Sequence, residues 1–157
     1  MKWITRERPK IDRVACPWLI ARFLDPQAEF LFAPAAEVTA RAATSGAIPF
    51  DVEGVELSHV GPLCSFDAFL QKFRPEDSRL DDPALAALAV IVRGADTARL
   101  ELAPECAGLL AVSLGLSRLY ADDHEQLRHG FGIYDALYAW LTQARSETHT
   151  WNPQRAR

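Results

Sequence analysis

From Pro104 to Leu119 the chain reads apolar around almost the whole circumference of a helix, with Leu109, Leu110, Val112, Leu114, Leu116 and Leu119 spread over its faces. A helix without a polar face has nothing to offer water, so this one is predicted to be the central, buried element around which the rest packs. With 157 residues, 49% of them apolar, the chain has the size for one such core and a single domain, expected over residues 1–145. Residues 146–157 show no periodicity and are expected to form a flexible tail.

The shell around that helix divides in two. Lys2–Thr5 and Glu29–Phe32 have the composition of short strands, and Pro34 and Gly46 bracket a helix of small residues. Later signals are helical. Ser65 is expected to cap a helix whose Phe66, Phe69, Leu70 and Phe73 share a face, and Asp82-Pro83 opens another that Gly94 is expected to end, leaving Asp96 in a turn. Asp122 and Glu125 have capping-box spacing ahead of the stripe Leu127, Phe131, Tyr134, Tyr138 and Leu141. The predicted fold is α+β and mostly helical, a helical core with a small N-terminal β-sheet.

Charged residues occupy the positions where a secretion signal needs apolar ones, and no apolar run approaches the roughly 20 residues of a membrane span. Cys16, Cys64 and Cys106 are odd in number and form no CxxC pair, so a disulfide framework and a zinc knuckle are both disfavoured. A cytoplasmic protein with reduced thiols and no membrane association is expected. The net charge of −4 hides an asymmetry: Lys2, Arg6, Arg8, Lys10, Arg13 and Arg22 against Glu7 and Asp12 make the first 22 residues +4, leaving −8 for the rest. Such a segment suits a small anion better than nucleic acid, for which the acidic domain has no long basic stripe.

Four segments gather chemistry. In RERPKIDRVACPW, Pro17 is expected to start a helix, an earlier start at Asp12 placing a kink at Cys16; the Pro17 start puts Cys16 near a helix N-terminus beside Arg6, Lys10 and Arg13. Those three cations form an expected oxyanion site, and the same field makes Cys16 a candidate reactive thiolate; the plain alternative is a buried, inert cysteine beside a solvated loop. Glu56 and His59 lie three apart and serve one metal if their segment turns, but not if it is a strand. Asp96 follows at Arg93-Gly-Ala-Asp96, and Asp122-Asp123-His124-Glu125 crowds acids and an imidazole at a helix start, where capping also explains them. Together Glu56, His59, Asp96 and His124 supply a mixed nitrogen and oxygen set suited to Fe, Mn or Zn. Asp12 and Asp123 are expected just behind it.

KWITRERPKIDRVACPWLIARFLDPQAEFLF, VELSHVGPLCSFDAF, IVRGADT and GLSRLYADDHEQLRHGFGIYDALYAWL, in this order, resemble the C-terminal domain of the ChrB-type chromate-resistance proteins of bacteria. The resemblance covers Lys2 to about Gln143 and carries motif positions at Lys10, Asp12, Arg13, Cys16, Glu56, His59, Asp96, Asp123 and His124. It implies a link to chromate sensing, and partner domains of regulatory or rhodanese-like type. The leading expectation is an accessory or sensor domain that binds chromate or sulfate through Arg13, Lys10 and Arg6. The alternative is a metalloenzyme acting on a small anion, with Cys16 or a metal-bound water reacting. A third reading, a protein-interaction module, requires an exposed aromatic patch around Trp3 or Trp18.

Overall fold

Trp3, Ile4 and Thr5 are aromatic or β-branched and suit a pleated backbone covered on both faces, and all three are buried in strand β1 (Lys2–Arg6). The computed structural model describes residues 1–150, so most of the expected tail lies outside the described residues. After β1 come α1 (Asp12–Leu19), β2 (Glu29–Ala33), α2 (Val38–Ser45), β3 (Ile48–Pro49), α3 (Ser65–Phe73), α4 (Pro83–Asp96), α5 (Cys106–Leu119) and α6 (Asp123–Ala139). β1 lies between β2 and β3 and is parallel to both, in register from Lys2 with Glu29 to Arg6 with Ala33. Parallel neighbours need a crossover, and α1 and α2 supply the two connections. Alternation along β1 then separates two cores: Trp3 packs on Phe69 and Phe73 among the helices, while Ile4 joins Ala33, Val38, Ala42 and Ala47 beneath α2. The class is α+β and mostly helical, as the sequence predicts.

The centre of the molecule is α1 and not the 104–119 segment. Every residue of α1 except Arg13 is buried, and the helix packs against α3, α4 and α6. Close approach comes from small groups: a Cβ added to Gly130 of α6 would lie 2.5 Å from Val14 Cγ1. α5 rests on the outside of α4 and α6, burying Cys106, Leu109, Ser113 and Ser117 while Val112, Leu114 and Leu119 stay 45%, 46% and 74% exposed. Its all-round apolar pattern marks no side as inner, so the pattern alone does not orient it.

Pro17 does not start α1. The helix begins at Asp12, passes through Pro17 and widens into a π-helical turn over Ile20–Leu24, with the Ile20 amide donating to the carbonyls of both Cys16 and Pro17. A proline removes one ladder donor and crowds the turn before it, and the wider turn that follows absorbs the mismatch. α4 likewise runs past Gly94 to Asp96. Gly94 serves packing there, since a Cβ would lie 2.3 Å from Cys106 Sγ on α5. The cap of α3 is Cys64, boxed with Asp67, and not Ser65. Asp82 and Asp122 cap α4 and α6 as expected, accepting from the amides of Ala84 at 2.7 Å and Glu125 at 2.8 Å.

The end of α5 is closed from a distance. The Arg8 guanidinium donates to the carbonyls of Ser117, Tyr120 and Ala121, which a helix C-terminus otherwise leaves to water. Among the described residues no helix is long and apolar enough to cross a membrane.

Candidate metal centre

Asp12 occupies the first turn of α1, yet its carboxylate points to the start of α3, accepting from the amides of Ser65 at 2.6 Å and Phe66 at 3.0 Å. The N-terminus of α3 thus holds an internal anion, and the helix dipole favours it. Ile11, just before it, has φ 42°, an uncommon conformation for a β-branched residue, and its carbonyl accepts from the Tyr134 hydroxyl at 2.8 Å. Local strain therefore sits next to the most constrained carboxylate.

Three carboxylates converge on one imidazole. His59 Nε2 lies 3.1 Å from Asp96 Oδ2, 3.4 Å from Asp51 Oδ1 and 3.5 Å from Asp12 Oδ2. Ligand atoms about 2.1 Å from a metal ion are about 3.0–3.4 Å apart along the edges of an octahedron or tetrahedron. The observed spacings have that scale, and Asp12, His59 and Asp96 offer atoms mutually within 4.8 Å. Asp51 is held beside them by the Ser65 hydroxyl at 2.9 Å, by Arg6 at 2.8 Å and by Arg13 at 3.3 Å. Like Ile11, Asp51 has a positive φ, 49°.

Crowding these groups perturbs their titration. The hydrogen bond with Asp12, reinforced by the surrounding carboxylates, lifts His59 to about 9 against the partial burial that opposes it. Burial, then the charges of Asp12 and Asp51, raises Asp96 to about 7, with His59 pulling it back. Protons on His59 and Asp96 thus offset the repulsion among the carboxylates.

The centre sits at the carboxyl edge of the parallel sheet, where α/β arrangements present ligands. Arg6 ends β1, Ala35 and Ala36 follow β2, and Asp51 follows β3; with His59 they line one cavity of about 620 Å³. The His59 side chain is 40% exposed, so the centre has one open side.

Of the residues singled out in the sequence, His59 and Asp96 meet, and Asp12 contacts them directly instead of standing behind them. Glu56 and His124 do not join. Glu56 turns outward onto Lys72, and the His124 ring packs on Phe32 at 5.3 Å in a separate cavity of about 730 Å³. Asp123 accepts the Arg8 amide at 3.0 Å in that same region. The expected cationic triplet is split, because Arg6 and Arg13 are tied to Asp51 while Lys10 lines another cavity with Arg8 and Arg118. Cys16 is mid-helix and fully buried, burial together with Asp12 raises its pKa well above the ordinary value, and the thiol donates to Asp12 at 3.5 Å. Trp3 and Trp18 are buried, so neither forms the exposed aromatic patch expected of them in an interaction module. Sequence reading missed Asp51, which follows β3 at the sheet's carboxyl edge, and expected Ser65 as a helix cap, whereas its hydroxyl holds Asp51.

The family model for the ChrB C-terminal domain matches residues 3–141. The chain belongs to the ChrB C-terminal domain family. Protein ChrB of Cupriavidus metallidurans is 32% identical over 144 residues, which are 92% of this chain and 42% of that protein. The chain thus spans about two-fifths of the length of the curated ChrB relative it matches. No solved structure matches it. The match contains Asp12, Asp51, His59 and Asp96, so the whole centre lies inside the ChrB domain.

Proposed function

We propose that this ChrB-family domain binds a divalent metal through Asp12, His59 and Asp96, with Asp51 beside them, and that the metal receives a tetrahedral oxyanion such as chromate on its open side. The observation that carries the reading is the convergence of three carboxylate oxygens within 3.1–3.5 Å of one imidazole nitrogen. One nitrogen and several oxygens suit Mn, Fe or Zn. The amides and hydroxyl on Asp12 and Asp51 fix ligand orientation from behind.

Charge explains why metal and anion go together. Three carboxylates against Arg6 and Arg13 leave −1 once His59 has given up its proton, as ligation through its nitrogen requires. A divalent ion turns this to +1, and an oxyanion arriving through the cavity beside Arg6 then meets a net attraction. The sequence-based alternatives, an oxyanion sensor and a metal site, become one arrangement, with Arg6 and Arg13 steering through Asp51. When bound, the ion supplies Lewis acidity, while the chain's residues hold it and leave one face open. A cavity of about 620 Å³ is also in the range of small-molecule sites, which keeps a metal-dependent enzyme for a small anionic substrate as the second reading.

The test is elemental analysis of protein purified without metal chelation, with His59→Ala alongside. Stoichiometric Mn, Fe or Zn that is lost in His59→Ala is expected, with chromate or sulfate binding only to the loaded protein. Protein that stays metal-free after loading, or that binds chromate equally without metal, rejects the reading.

A further inference from the structure

α5 is built inside out. Toward α4 and α6 it buries Ser113 and Ser117 beside Cys106 and Leu109, while toward solvent it presents Gly108, Ala111, Val112, Leu114, Gly115 and Leu119. A continuous exposed apolar face of this kind marks a contact surface. Its spacing is regular: Gly108 and Gly115 are one heptad apart, as are Val112 and Leu119, so all four share a seam. A Cβ at Gly108 or Gly115 would meet nothing within 4 Å, so the chain's own packing does not require either glycine. Bare backbone at both positions allows another helix to come close.

The ends of the face carry opposite charge. Glu105 stands at its start, with Glu101 nearby paired to Arg99 at 3.4 Å, and Arg118 with Lys10 and Arg8 surrounds a cavity of about 510 Å³ at its finish. A parallel pair of such helices would set like charges side by side. A two-fold axis across the helix between Ala111 and Val112 instead sets Gly108 opposite the partner's Gly115 and brings Val112 beside the partner's Val112. The same axis puts Glu105 level with the partner's Arg118, and the two helix dipoles then run opposite.

We propose that α5 is a self-association surface through which two copies of this chain pair antiparallel, seam to seam over Gly108, Val112, Gly115 and Leu119. The pairing covers the apolar face that the fold leaves bare and matches the acidic end of one helix to the basic end of the other.

Sedimentation of the full chain at about 100 μM is expected to give twice the monomer mass. Gly115→Gln is expected to sediment as a monomer with unchanged circular dichroism and an equal or higher Tm, because the space around that position is open and glutamine is the better helix former. Arg118→Glu is expected to weaken pairing about tenfold at low salt, and adding Glu105→Arg to it to recover the loss. A wild-type monomer at that concentration overturns the proposal, as does a dimer indifferent to Gly115→Gln. Failure of the double charge swap to recover pairing overturns the antiparallel arrangement.

Discussion

Asp12 joins the start of one helix to the start of another, with both oxygens engaged by the buried amides of Ser65 and Phe66. Asp12→Ala leaves those two donors without an acceptor, at about 1–3 kcal/mol each. A urea titration of metal-free protein is expected to show a loss of about 2 kcal/mol or more. Asp96→Asn is expected to behave oppositely: it removes a carboxylate that burial disfavours, so the metal-free protein keeps its stability at pH 8 while metal uptake fails. A calorimetric melt beside a metal titration separates the two effects. His59 was legible through its spacing from Glu56, and Asp96 through its place at an expected helix end. Asp51 was not, because β3 is only Ile48–Pro49, too short to leave a period that announces its end. Glu56 was misleading for a related reason: its spacing from His59 suits a helical turn, but the segment is irregular around the isolated bridge of Phe50 with Leu57.

Helices with two distinct faces were legible at the scale of the element. α3 and α6 bury the residues their periodicity nominates, Phe66, Phe69 and Leu70 on one and Leu127 and Tyr134 on the other. α1 was harder to read because Pro17 resembles a start signal, and only the tertiary setting shows that a π-helical turn accommodates it. The position of α1 depends on Gly130, so Gly130→Ala forces the buried Val14 or the helix itself to move. Overpacking of this kind costs about 1–3 kcal/mol. The expected result is a Tm drop of several degrees, with weaker metal binding as the first turn of α1 shifts; an unchanged melt would show that the two helices have slack between them.

For the molecule as a whole, the centre makes stability depend on pH in a defined direction. Asp96 sits at about 7 in the fold against an ordinary 3.8, so the folded state holds an extra proton between these values and stability falls as pH rises through them. His59 sits at about 9 against 6.5; its contribution is fully present below 6.5 and is lost as pH rises through 9. Metal-free protein is therefore expected to melt at progressively lower temperature from pH 5 to pH 9.5 on this linkage. An ion that replaces those protons reverses the trend above pH 7, and its binding releases protons that a buffer-dependent heat of binding detects. The four converging residues come from three separate stretches of chain, and two of them, Asp51 and His59, belong to the irregular segment between β3 and α3. That segment ends its outward excursion at Val60, which is 63% exposed, and turns back at Gly61. An ion bound there as proposed would tether this excursion at both Asp51 and His59, and its presence would then be readable from outside, as a slower rate at which a protease nicks the chain near Val60.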